Sequence, residues 1–215
     1  LVIGQTMQHK RVVVITLKND FGKSLAAGFK AEASNFGIKI VNEYEYSIGD
    51  RQFGPIVAKV RADKPDAIYA SGYFFTAGPL VSQLRSGGVD VPVIGQEGYD
   101  GEQFIKIAGA FAEGVIITTS LDRDSNFPEA RSFISEYEKF SGNKVDMVSA
   151  STHTAIKVVV AALRKAGTIS PDAIRKAISQ TKLLASTGQI SFNKLGEVLK
   201  NVEVQIVRNG DWHYH

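Results

Sequence analysis

Short runs of consecutive apolar residues alternate with amphipathic stretches through the first 118 positions. Residues 11–17 read Arg-Val-Val-Val-Ile-Thr-Leu. Three adjacent valines favour a strand, because a branched Cβ loses rotamer freedom in a helix and packs well on a pleated surface. Lys18-Asn19-Asp20-Phe21-Gly22 follows as a turn, with Asp20 placed to cap a helix that reaches about residue 35 and Gly37 placed to end it. Residues 38–45 alternate in polarity, which predicts a strand with one less buried face. A helix over about 53–62 carries Ile56, Val57 and Val60 on one side and is stopped by Asp63-Lys64-Pro65-Asp66. Then come a strand at 67–70, a helix at 76–86, a strand opened by Pro92, a short helix at 102–107 and a fifth strand at 114–118. This is a βα series, and it predicts an α/β fold with a doubly wound parallel sheet and helices on both faces.

The pattern changes at residue 120. Asp122-Arg123-Asp124-Ser125-Asn126 is a polar linker, and residues 127–180 read as helices only, at about 128–140, 149–166 and from Pro171 to near residue 180. Helices must bury their apolar stripes on a sheet or on each other, and no strand adjacent in sequence supplies that partner. Two strands close the chain, at 189–192 and about 201–208, with Asn209-Gly210 as a type I′ turn signal. Neither an internal repeat nor a low-complexity segment is present.

A length of 215 residues suffices for one large domain or two small ones. The formal charge is only +3, and no segment is polybasic, so nucleic acid and acidic membrane surfaces are poor partner classes. The lack of cysteine excludes disulfides, a thiol nucleophile and thiolate metal sites. No apolar run is long enough to span a bilayer, and residues 1–10 have no basic segment and cleavage site of the signal-peptide kind.

Candidate chemistry gathers in residues 66–100, where two strand-like runs end in clusters of glycine, aromatic and acidic residues. Ligands of open α/β sheets bind beyond the carboxyl ends of the strands. Glu97, in Gly95-Gln96-Glu97-Gly98, suits an ammonium group, but it equally suits a loop acid or a helix cap. Tyr73 follows the small residues Ser71 and Gly72, which leave a ligand room; its ring can cover an aliphatic group, and its other role is an interface tyrosine. Phe21 ends the first strand and faces the same edge. The histidines His9, His153, His213 and His215 lack metal spacing. Gly22-Lys23-Ser24 lacks the upstream glycine of a phosphate loop, and no nucleophile elbow occurs. No catalytic residue, cofactor or metal is therefore expected.

The ordered set Lys18-Asn19-Asp20-Phe21-Gly22, Tyr69-Ala70-Ser71-Gly72-Tyr73, Gly95-Gln96-Glu97-Gly98, Ala112-Glu113-Gly114-Val115 and Gly188-Gln189-Ile190-Ser191-Phe192 resembles the leucine/isoleucine/valine-type periplasmic solute-binding proteins of ABC transporters. The resemblance begins at about Arg11. It implies two α/β lobes, with this chain as the C-terminal portion lacking the N-terminal half of the first lobe. Residues 1–118 and 189–215 would be the second lobe, residues 121–187 a partial, helical first lobe, and the crossings would fall near 118–121 and 187–189. Tyr73 and Glu97 would contact an amino acid held between the lobes, the glutamate pairing with its ammonium group, with Phe21, Ser71 and Gly72 beside them. His153 would pack rather than bind.

The implied function is non-catalytic: binding a branched-chain or other amino acid, or a related polar solute, for delivery to a membrane permease. The location would be periplasmic or extracellular, with a lipid anchor in the full-length protein as one form. A sensor domain of a receptor or regulator with the same fold is the alternative. If truncated, the chain would expose apolar helix faces, including some of Ile156, Val159, Val160, Leu163 and Ile174, and form a homodimer to cover them.

Overall fold

The computed structural model describes residues 2–215. They divide into two compact units, one comprising residues up to 118 with 204–213, the other residues 119–203.

The first unit is built on a sheet of seven strands. In chain order these are β1 (Arg11–Leu17), β2 (Lys39–Tyr46), β3 (Ala67–Ser71), β4 (Val93–Gln96), β5 (Ile116–Thr119), β9 (Glu203–Arg208) and β10 (Asp211–Tyr214), and they lie side by side as β10-β9-β5-β4-β3-β1-β2. The pairs β1–β2, β1–β3, β3–β4 and β4–β5 are all parallel. Val12 to Ile15 of β1 and Ala67, Ile68 and Ala70 of β3 are fully buried, as central parallel strands with both faces covered must be. The helices α1 (Asp20–Ala33), α2 (Gly54–Asp63), α3 (Phe74–Ser86) and α4 (Glu102–Ala108) join successive strands. One core layer holds Val13, Ile15, Leu17, Leu80, Leu84, Phe104 and Trp212; the other holds Val12, Val14, Ala26, Ile94 and Ile116.

Local signals explain the boundaries. Asn19, not Asp20, caps α1: its Oδ1 accepts the Gly22 amide at 2.7 Å. Replacing Asn19 by alanine should lower stability by about 1 kcal/mol, read as a shifted midpoint in urea unfolding with an unchanged slope. Lys64, at φ 48°, ends α2 just before Pro65. Between β9 and β10, Asn209 and Gly210 both have positive φ, 53° and 76°, which is what a type I′ hairpin turn requires.

The second unit corrects the expectation of a partial, helical lobe. Alongside α5 (Pro128–Ser141), α6 (Met147–Ala166) and α7 (Pro171–Ser179) it has its own three-stranded sheet, β6 (Lys182–Ala185), β7 (Gly188–Phe192) and β8 (Val198–Leu199), in that order and antiparallel. Residues 189–203, expected to return to the seven-stranded unit, stay here instead, because β7 pairs with β6 from Ala185↔Gly188 to Lys182↔Ser191. Ala185 and Ile190 of this sheet bury against Val158 of α6. Below them Thr154 Oγ1 lies 3.1 Å from Ser186 Oγ and 3.0 Å from Thr187 Oγ1, and the Ser186 hydroxyl donates to the Ala150 carbonyl. These bonds tie the β6–β7 turn to the helix. His153 packs flat on Phe133, ring centroids 4.3 Å apart, with Nδ1 3.0 Å from Ser186 Oγ.

The other side of α6 is open. Ile156, Val159, Val160 and Leu163 are 59%, 45%, 39% and 37% exposed, whereas Ile174 of α7 is half-buried.

Candidate functional site

The strand order places a reversal between β1 and β3. From β1 the chain steps outward to β2, then crosses back to β3 and continues through β4 to β5. At such a switch point the connections leave the neighbouring strands in opposite directions, and a crevice opens beyond their carboxyl ends. Phe21 stands in the first turn of α1, just after β1; Tyr73 caps α3, just after β3; Glu97 opens a 3₁₀ turn, just after β4. All three therefore rise from the ends of adjacent strands.

Phe21 and Tyr73 are stacked in parallel, ring centroids 4.9 Å apart and planes 4° apart. Phe75 continues the stack on Tyr73, at 5.7 Å and 17°. The three rings and Glu97 are half-buried. The guanidinium of Arg51 stands over Phe75, 5.9 Å from the ring centre, and the Phe74 ring meets Phe75 edge-on.

Behind this wall the two loops are fastened together. Gln96, 2% exposed, donates from Nε2 to the Gly72 carbonyl at 2.7 Å, while its Oε1 accepts the Gly98 amide at 2.6 Å. Ser71 is fully buried, and its hydroxyl donates to the Gly22 carbonyl at 3.0 Å. It thus holds the first turn of α1, with Phe21, against β3. Tyr46 donates to the Ser71 carbonyl and lies 3.1 Å from Thr76 Oγ1. Burial lifts its phenol to about 12, the Thr76 contact opposing, so it stays a donor at neutral pH.

Two glycines are required for close approach. A Cβ on Gly72 would come within 2.1 Å of the Tyr46 hydroxyl, and one on Gly98 within 2.2 Å of the Gly72 carbonyl oxygen. The Gly98 Cβ would also lie 3.2 Å from the Phe21 ring, so only glycine lets the turn that begins at Glu97 approach that ring so closely.

Of the five residues singled out from sequence, Phe21, Tyr73 and Glu97 present side chains at the crevice, while Ser71 and Gly72 shape it from behind. Gln96 was passed over. A glutamine ending the apolar run Val93-Ile94-Gly95 signals a buried polar residue, which has to find partners inside the fold. Among the described residues no group of three or more His, Asp or Glu side chains could hold a metal ion.

A sequence profile described as periplasmic binding protein matches residues 2–208. The chain belongs to that family. The match begins near the first residue rather than at Arg11, and it runs through both units. The expectation that the likeness starts at Arg11 and that the second unit is a helical remainder of one lobe is corrected by that match and by the unit's own three-stranded sheet. Among relatives within the family, the Leu/Ile/Val-binding protein homolog 3 of Brucella melitensis is 28% identical over 196 residues, which are 90% of this chain and 53% of that protein. The leucine-, isoleucine-, valine-, threonine- and alanine-binding protein of Pseudomonas aeruginosa is 23% identical over 98% of this chain and 55% of its own length. This chain thus spans about half the length of the curated relatives it matches. The leucine-binding protein LivK of Thermotoga maritima superposes with a TM-score of 0.92 at 26% identity, covering 100% of this chain and 62% of that one.

Proposed function

We propose that this chain is the solute-binding component of an ABC importer and that it takes a branched-chain or related amino acid at the β1/β3/β4 crevice. The observation that carries the reading is the Phe21–Tyr73 stack beside the Glu97 turn, at the switch point of the sheet. Apolar rings suit an amino-acid side chain, and a half-buried carboxylate suits an ammonium group. The named specificities of the Brucella and Pseudomonas relatives support the same substrate class. In this reading Glu97 accepts from the α-ammonium, the Tyr73 hydroxyl adds a neutral hydrogen bond, and Phe21 covers the side chain. Ser71 and Gly72 hold that surface in place. Binding and release are the whole activity, and no bond of the solute is made or broken. The partner that receives the solute is a membrane permease, and the site of action is the periplasm or the cell exterior.

Calorimetric titration of the 215-residue chain with the common amino acids tests this directly. Saturable binding of at least one is expected; no binding to any would overturn the substrate class. Tyr73→Phe should weaken that binding by about fivefold, the loss of one neutral hydrogen bond of about 1 kcal/mol. The ring and its stacking remain in that variant, so a much larger loss would contradict the minor role given to the hydroxyl.

A further inference from the structure

We infer that Tyr46 is a positioning residue for Tyr73: its hydroxyl and the missing side chain of Gly72 form a matched pair that sets where the aromatic wall of the crevice stands. The inference rests on the amino-acid reading above and extends that site to a residue of the edge strand.

Tyr46 is the last residue of β2, and β1 lies between β2 and β3. Its side chain therefore passes the end of β1 to reach the turn after β3. There the phenol oxygen lies 3.0 Å from the Ser71 carbonyl, to which it donates, and 3.1 Å from Thr76 Oγ1. The Thr76 hydroxyl in turn donates to the Tyr73 carbonyl at 3.0 Å. The turn from Ser71 to Thr76, which carries Tyr73, is thus folded round one oxygen atom. That atom is itself held. Tyr46 is almost fully buried, and its ring meets the buried Phe53 edge-on, centroids 5.3 Å apart and planes 87° apart. A ring packed at interior density cannot swing aside without displacing its neighbours. Gly72 completes the fit. A Cβ there would meet the phenol oxygen at 2.1 Å, while its next neighbours, Thr76 Oγ1 and Tyr46 Cζ, stand at 3.2 and 3.4 Å. Gly72 is not among the glycines with positive φ, so its backbone admits alanine, and the hydroxyl is what excludes a methyl group. Any shift of this turn carries the Tyr73 ring with it and changes its stacking on Phe21.

The test is titration calorimetry of wild type, Tyr46→Phe, Gly72→Ala and the double variant with each of the common amino acids, with thermal unfolding of every protein. Tyr46→Phe keeps the ring and removes the oxygen, and affinity for the tightest-bound amino acid should fall about three- to tenfold. Gly72→Ala sets a methyl group against the fixed hydroxyl and should cost about tenfold. In the double variant the methyl takes the space the oxygen left, so binding should be tighter than in Gly72→Ala although a second residue has changed. Losses that simply multiply would overturn the pairing. Where Gly72→Ala does not fold, a folded double variant is the same rescue. Tyr73→Ala supplies a readout that a merely structural role would not move. With that ring gone, Tyr46→Phe should change affinity by less than about twofold. If Tyr46→Phe lowers the melting temperature but binds like wild type, or weakens binding equally with and without the Tyr73 ring, Tyr46 is structural only and the inference is wrong while the amino-acid reading stands. Failure of every amino acid to bind wild type removes both readings together.

Discussion

Replacing Glu97 by glutamine should lower the affinity for the best-bound amino acid by about two- to thirtyfold. The substitution keeps the size and shape of the side chain and removes one negative charge. A hydrogen bond from an ammonium group to a carboxylate contributes roughly 1.5–3 kcal/mol, against about 1 kcal/mol for the neutral bond an amide can still accept. At 1.4 kcal/mol per factor of ten, the stated range follows. A second ligand isolates the cause. The deaminated analogue, the same side chain and carboxylate without the ammonium group, has nothing for the charge to attract, so its affinity should change far less. The difference between the two losses is the coupling between carboxylate and ammonium, measured as in a double-mutant cycle. If wild type and Glu97→Gln bind the amino acid equally, Glu97 is not opposite the ammonium, and the orientation assigned to the solute falls with it.

The strand positions of the first unit were legible because they depend on short-range patterning. The three valines of β1 and the run Ala67 to Ala70 need no knowledge of their neighbours to be recognised as buried strands, since residues covered on both faces are apolar at every position. The sheet of the second unit was not legible in the same way. β6 is only Lys182-Leu183-Leu184-Ala185, directly after a helix, and its identity as a strand comes from pairing with β7 across a tight turn and from packing on Val158. Neither partner is visible in a four-residue window. The hairpin at the carboxyl end shows the intermediate case: the Asn209-Gly210 turn was recognisable, but its second strand, Asp211-Trp212-His213-Tyr214, has no run of aliphatic residues to announce it. Trp212 makes the difference, buried to 4% exposure with its indole donating to the Gly101 carbonyl more than a hundred residues earlier.

The candidate site divides along the same line. Phe21, Tyr73 and Glu97 stand at strand ends that sequence alone locates, so their convergence could be anticipated from the rule for open α/β sheets. Their mutual geometry could not. The parallel stacking of Phe21 on Tyr73 depends on how α1 and α3 leave their strands, which in turn depends on Ser71 and Tyr46 holding backbone carbonyls from beneath. The one-residue error in the α1 cap has a similar origin. Asn19 and Asp20 are both good capping residues, and only the backbone path decides which side chain faces the Gly22 amide.

Gln96→Ala should be the most damaging single change at the site that touches no solute. The buried amide satisfies two backbone groups at once, the Gly72 carbonyl and the Gly98 amide, and alanine reaches neither. A buried polar group left without a partner costs about 1–3 kcal/mol. With two such groups, even allowing for relaxation and entry of water at Gly98, a loss of roughly 2–3 kcal/mol is expected, or a fall in melting temperature of roughly 4–12 °C for a chain of this size. Because those two bonds join the loop after β3 to the turn after β4, the same change frees Tyr73 and Glu97 to move relative to one another. Amino-acid affinity should therefore drop although neither residue is altered, since positioning on a loosened support forfeits part of what each contact contributes. Gln96→Glu sharpens the test. A carboxylate keeps the acceptor for the Gly98 amide but loses the donor to the Gly72 carbonyl and sets a charge against that oxygen, so it should destabilise the unit at neutral pH at least as much as alanine does. Differential scanning calorimetry of wild type and both variants measures this, and a glutamate variant as stable as wild type would show that the bond to Gly72 does not hold the two loops together.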